Sequence, residues 1–238
     1  MFNSGIFLPI IIISGMAYGI LAKKLTIMAA FTGAIIALLI FIAAGYTGLM
    51  MMTTFFILGS SATSWQRHKK QAFVVMEEEK KGRNALQVLA NAGAAAISGV
   101  VIICYPELHG LMLPAMAAAF ASATADTLSS ELGMVYGKRF FNIISFKPDS
   151  RGMDGVISLE GTLAGILGSG VIAGIYALGW GLNSSFFFII IAGTMGNLTD
   201  SILGALFERK GMMGNDTVNF LNTLTAMFVM LLFTVLFL

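Results

Sequence analysis

Two aspartates sit inside stretches apolar enough to cross a membrane. Asp126 follows LMLPAMAAAFASATA, and Asp200 lies between FFFIIIAGTMGNLT and SILGALF. A carboxylate in a spanning helix costs about 2.5–3.5 kcal/mol on insertion scales, so a chain keeps one where it faces protein, water or a cation. Amides and hydroxyls recur at helical spacing around them. Asn84, Gln87, Asn91 and Ser98 share one helix face, as do Ser122, Asp126 and Ser129. Ser158, Thr162, Gly165 and Ser169 form a third face, with Asp154 and Glu160 beside it. Asn197, Asp200 and Gly204 form a fourth, and Asn215, Asn219 and Asn222 a fifth, with Asp216 adjoining. Ser130, Glu131 and Ser201 stand next to the two aspartates. Hard oxygen ligands without Cys or His suit Mg²⁺, which takes one or two carboxylates plus substrate phosphates. Arg83, Lys138, Arg139 and Arg151 border the same faces and suit phosphate groups. Together these residue types describe a Mg²⁺–phosphate site.

The elements that carry these residues are membrane helices. The chain of 238 residues is 57% hydrophobic and 11% charged, against about 25% charged in a soluble domain. It reads as one integral membrane domain over 1–238. Apolar stretches fall at about 5–22, 25–44, 47–63, 85–104, 111–133, 157–180, 185–207 and 217–238. Each approaches the roughly 17–25 residues a span needs. The expectation is an all-α polytopic bundle of about eight transmembrane helices; 47–63, the shortest, has a re-entrant loop as its alternative. The N-terminus lacks the basic leader of a signal peptide, so the first stretch is expected to stay as a span. The single Cys104 cannot form an internal disulfide, and His68 and His109 have no metal-binding spacing.

The basic residues orient the bundle. All 14 Lys and Arg fall in four connections, at 23–24, 67–83, 138–151 and 209–210, and the connections near 45, 105 and 182 hold none. The positive-inside rule then puts the four basic connections in the cytosol and both termini outside. Segment 64–84, with WQRHKKQAFVVMEEEKKGR at its heart, reads as a cytosolic amphipathic connector or lid. Under this topology the five polar faces reach the cytosolic boundary, and the external half has almost nothing comparable. Three of the helices start at that boundary, so their positive dipole ends point into the same region. GKR at 137–139 lacks the frame of a P-loop, and no nucleophile elbow is present.

RNALQVLAN, ASATADTLSSELG, DGVISLEGT, GNLTDSILGA and NDTVNFLNT, taken in order over about residues 80–225, resemble the signature blocks of the phytyl-phosphate kinase family, which includes the animal transmembrane protein 19. Val156 stands where that pattern has a second glycine after Asp154-Gly155. The resemblance implies phosphoryl transfer from a nucleoside triphosphate, CTP foremost, to an isoprenoid monophosphate. An acceptor of that kind attacks through an oxygen already anionic near neutral pH. No general base is then required, and catalysis reduces to positioning and charge neutralisation.

The expected roles follow. Asp126 and Asp200 hold Mg²⁺, helped by Asp216 or Glu131. Arg83 and Arg151 clamp phosphates. Asn84, Asn197, Asn215 and Asn219 orient nucleotide or acceptor, and Gln87, Asn91, Ser130, Lys138, Asp154, Ser158, Glu160 and Ser201 complete the substrate wall. The expected partners are a lipid phosphate, a nucleotide and the membrane, with no nucleic acid, and the oligomeric state is open, a homo-oligomer included. The expected location is the cell membrane, with the site facing the cytosol. Two other activities are alternatives to this one. A cytidylyltransferase making a CDP-activated lipid needs the same metal and basic groups. A transporter or lipid flippase instead needs polar groups at the midplane and on both sides.

Overall fold

A computed structural model of the chain describes residues 4–70 and 82–237. The helices in chain order are α1 (Ser4–Leu21), α2 (Ile27–Ser64), α3 (Arg67–Lys70), α4 (Ala85–Cys104), α5 (His109–Tyr136), α6 (Leu159–Trp180), α7 (Ser184–Leu206) and α8 (Asn215–Phe237). Most of the expected connector 64–84, including Glu77, Glu78 and Glu79, lies outside the described residues; α3 is its described beginning.

The 38 residues of α2 do not form one rod. An unbroken helix of that length would measure about 57 Å. Gly45 takes φ 59° and ψ −153°, a conformation only glycine enters readily, and the helix folds back there. The ends of its two arms meet accordingly, because the Lys24 amine just before α2 donates to the Ser64 hydroxyl at its finish. The arms correspond to the stretches expected at 25–44 and 47–63. Among the described residues, six helices are long and apolar enough to cross a membrane, α2 being one, and Phe7–Leu21 is a shorter apolar helix. This is the polytopic helical membrane bundle expected from the sequence.

Helix α5 is the axis. Every residue from Leu113 to Ala125 is buried, and α5 packs against α2, α4, α6, α7 and α8. Its small side chains let neighbours approach closely, which is how membrane helices associate without a hydrophobic driving force between them. The approach of α6 is one example, where a Cβ on Gly161 would lie 2.6 Å from the Ser129 carbonyl oxygen. The outer surface is apolar instead: Ile35, Leu178 and Phe187 are more than 60% exposed. Such a surface suits a bilayer and not water.

The long connection from α5 to α6 is folded. Phe141–Asn142 (β1) pairs antiparallel with Val156–Ile157 (β2). Asp149 accepts a 2.8 Å ion-paired bond from Arg209, beyond α7, and fastens the loop to the next connection. Val156 is extended in β2, where a β-branched residue is at home. Gly155 alone of the two carries the left-handed φ of 73°, so the missing second glycine leaves the loop intact.

Candidate functional site

The N-termini of α4, α6 and α8 and the C-terminal parts of α5 and α7 surround one cavity of about 770 Å³. Local bonds shape its rim. Gly82 adopts φ 78°, and a Cβ there would meet Lys23, Lys24 and Leu25 backbone atoms at 2.9 Å. This close approach lets the Arg83 N–H donate to the Lys24 carbonyl at 2.9 Å, while the Arg83 carbonyl accepts from Thr26 N at 3.0 Å. The α1–α2 turn is thereby laced to the start of α4, and Lys23, Lys24 and Thr26 join Arg83 on the cavity wall. The Arg83 guanidinium lies over the Phe55 ring, 5.8 Å from its centroid.

Helix caps supply further polar groups. Asn84 and Gln87 form a capping box, the Asn84 Oδ1 accepting from Gln87 N at 3.0 Å and the Gln87 Oε1 from Asn84 N at 2.9 Å. With both oxygens used in the cap, the amide nitrogens are the atoms left to donate to a ligand. Ser158 caps α6 by accepting from Gly161 N at 3.2 Å.

Asp126 and Asp200 both line the cavity wall. Their helices, α5 and α7, are packed neighbours. Asn222, fully buried on α8, donates to Asp200 Oδ1 at 2.9 Å and accepts from Ser122 Oγ at 2.9 Å. Ser129 Oγ donates to Asn197 Oδ1 at 2.9 Å, a second tie between α5 and α7. Two carboxylates that face one cavity from packed helices repel each other unless a cation or proton neutralises them. Among the described residues no group of three His, Cys, Asp or Glu side chains forms a complete metal cage. Asp126 and Asp200 are the residues that would hold an ion such as Mg²⁺, which takes one or two protein carboxylates and fills its remaining positions with water and phosphate.

Fourteen of the expected site residues line this cavity: Asp126, Asp200, Arg83, Asn84, Gln87, Asn91, Ser130, Glu131, Asp154, Ser158, Asn197, Ser201, Asn215 and Asn219. Four others are placed elsewhere. Arg151 donates to the Gly137 carbonyl at 2.9 Å, and its guanidinium covers the Phe140 ring at 4.6 Å, so it holds the α5–α6 loop over the cavity from outside. The Lys138 backbone and the Glu160 carboxylate bond to each other at 3.4 Å, off the lining. Asp216 is on the first turn of α8, where Asn215 and Asn219 and not Asp216 reach the wall. Glu131 reaches the wall but is ion-paired with Lys70, whose buried amine also donates to Ala62 O at 2.9 Å and Thr63 O at 2.8 Å. Lys23, Lys24, Thr26, Ser60, Thr63 and Thr127 are lining residues that were not expected. Lys23 and Lys24 were visible only as topology signals, because their place depends on the long-range lacing at Arg83. Asn222 had the right helical face but no sequence signal for its partners.

Burial raises the Asp154 carboxyl above the ordinary carboxylate range, with Arg209 drawing it partly back. The Arg209 hydrogen bond holds Asp149 below that range.

Fold and site thus define a polytopic helical membrane protein with a carboxylate-bearing, basic-rimmed cavity toward one end of the bundle. The chain belongs to the family described as "Integral membrane protein DUF92", whose model matches residues 10–227. The family resemblance drawn from the five sequence blocks is borne out. Over 193 residues the chain is 31% identical to "Uncharacterized membrane protein sll0875" of Synechocystis, covering 79% of this chain and 74% of that one. It is 31% identical to "Protein VTE6, chloroplastic" of Arabidopsis thaliana over 76% of this chain and 56% of the relative. A match to "Uncharacterized membrane protein MJ0933" of Methanocaldococcus jannaschii is 34% identical over 62% of this chain and 63% of the relative. The chain therefore spans little more than half of one of these relatives. No solved structure matches it.

Proposed function

We propose that the protein is a membrane phosphotransferase, moving the terminal phosphoryl group of a nucleoside triphosphate, CTP foremost, onto an isoprenoid monophosphate at the cytosolic interface. The observation that carries this reading is the placing of Asp126 and Asp200 in one cavity that also presents Lys23, Lys24, Arg83 and three helix N-termini. That combination is suited to a metal–triphosphate complex beside a second phosphate. Family membership and the resemblance to phytyl-phosphate kinases point the same way. The one-ended placement of the polar groups argues against transport, since the α5 segment beyond Asp126 is buried and apolar apart from Ser122 and Thr124.

In this reading Asp126 and Asp200 hold Mg²⁺, oriented by Asn222. The bound ion supplies neutralisation of the phosphate charge. Arg83, Lys23 and Lys24 bind phosphate oxygens, and the capping amides of Asn84 and Gln87 orient them. An oxygen of the acceptor monophosphate forms a bond to the γ-phosphorus. The bond from that phosphorus to the β-bridging oxygen breaks, and the nucleoside diphosphate leaves with the electron pair. No side chain has to remove a proton.

The test is product release by purified protein given CTP, Mg²⁺ and an isoprenyl monophosphate. Acceptor-dependent CDP release, lost in Asp126→Asn, is the expected result. Pyrophosphate release instead would identify a cytidylyltransferase.

A further inference from the structure

A second, apolar groove opens beside the polar cavity. It has a volume of about 140 Å³ and lies between α1, the two arms of α2 and the start of α4. Its wall is made by Ile12, Met16, Ala34, Met52 and Phe56, among others. Arg83, Gln87 and Asn91 line both the groove and the cavity, so the two spaces meet at a seam that carries a guanidinium. A water-soluble phosphate uses only the polar side of such a seam. An amphiphile with an anionic head and an apolar chain uses both.

Two glycines keep the groove open. A Cβ on Gly15 of α1 or on Gly33 of α2 would meet nothing within 4 Å, although both residues line the groove. The volume limits what enters: an apolar cavity of about 150 Å³ takes one benzene, so this groove takes about one five-carbon unit.

We propose that this groove receives the first isoprene unit of the lipid phosphate, with Arg83 at the boundary between chain and head, and that the rest of the chain leaves into the bilayer. This rests on the lipid-phosphate reading of the cavity and adds a rule to it. The enzyme reads the acceptor next to its phosphate and is indifferent to length beyond that unit. Because lipid tails are as apolar as the groove, the gain is less in transfer energy than in holding the phosphate in register.

The test uses the full chain in nanodiscs with a geranyl monophosphate carrying a diazirine on its first isoprene unit. Cross-links are expected on groove residues. Gly33→Leu and Gly15→Leu fill the groove and are expected to lower cross-linking and kcat/KM by about tenfold, a loss of about 1.4 kcal/mol, with CTP affinity unchanged. Gly170→Leu, which also projects into open space but on α6, is expected to behave as wild type. Acceptors of ten and twenty carbons are expected to turn over alike. Turnover with cross-links elsewhere, or with Gly33→Leu and Gly15→Leu unaffected, overturns the groove and leaves the phosphotransferase standing. Groove cross-links without any turnover overturn the phosphotransferase and leave the groove.

Discussion

Glu131 separates structure from chemistry, and its ion pair can be tested quantitatively. Lys70 is fully buried, and among the described residues its amine has three acceptors: the carbonyls of Ala62 and Thr63 and the Glu131 carboxylate. Glu131→Gln removes the only opposite charge among them. Breaking a buried ion pair from one side costs about 3–5 kcal/mol, because a charge is left uncompensated. The two carbonyls remain as acceptors here, which sets the expected loss at the lower end, about 3 kcal/mol. For a chain of this size that corresponds to a Tm lower by roughly 6–12 °C. The double variant Lys70→Met/Glu131→Leu leaves no orphaned charge and should recover most of the loss. The assay is a double-mutant cycle on thermal unfolding in one detergent, with phosphotransfer activity measured in parallel at a temperature where every variant is folded. If Glu131→Gln unfolds within about 2 °C of wild type yet loses activity, the ion pair is not structural and Glu131 belongs to the chemistry.

Asp126→Asn and Asp200→Asn are each expected to keep the fold and lower phosphotransfer by about a thousandfold, about 4 kcal/mol of transition-state charge stabilisation; wild-type turnover in either refutes their assignment. Asn222→Leu removes the bond that orients Asp200 and is expected to weaken Mg²⁺ activation by about 10–100-fold, read as a shift in the Mg²⁺ concentration for half-maximal rate. The Asp149–Arg209 clamp carries a pH signature. The Asp149 carboxyl is held below its ordinary value by the Arg209 hydrogen bond, so its contribution is present above the ordinary carboxylate pKa and disappears as pH falls through the lowered value. Hydrogen exchange over 138–158, corrected for intrinsic rates, should rise on acidification below about pH 4 and should already be raised at neutral pH in Asp149→Asn; equal protection at both pH values contradicts the clamp.

Local periodicity and charge placement carried the reading from sequence a long way. The apolar stretches became helices, the pause near Gly45 became the fold-back of α2, and the polar faces with Asp126, Asn197 and Asn219 converge on one cavity. Each of these depends on residues close in the chain. What escaped depends on contacts between distant segments. Arg151 is placed by its stacking on Phe140, and Glu131 by Lys70, 61 positions away. Lys23 and Lys24 reach the cavity only because Gly82 lets Arg83 bond across to their turn. Asp216 shares a helix start with Asn215, yet the wall takes Asn215 and Asn219, a choice set by how α8 is rotated against α5 and α7.

The central claim is that the Asp126–Asp200 cavity transfers a phosphoryl group to a lipid phosphate. The most direct measurement supplies purified protein with an isoprenyl monophosphate and CTP labelled at either the α- or the γ-phosphate, and follows the label into the lipid. The account predicts γ-label in a lipid diphosphate and no α-label, with both absent in Asp200→Asn. α-Label in the lipid, or γ-label that persists in Asp200→Asn, contradicts it.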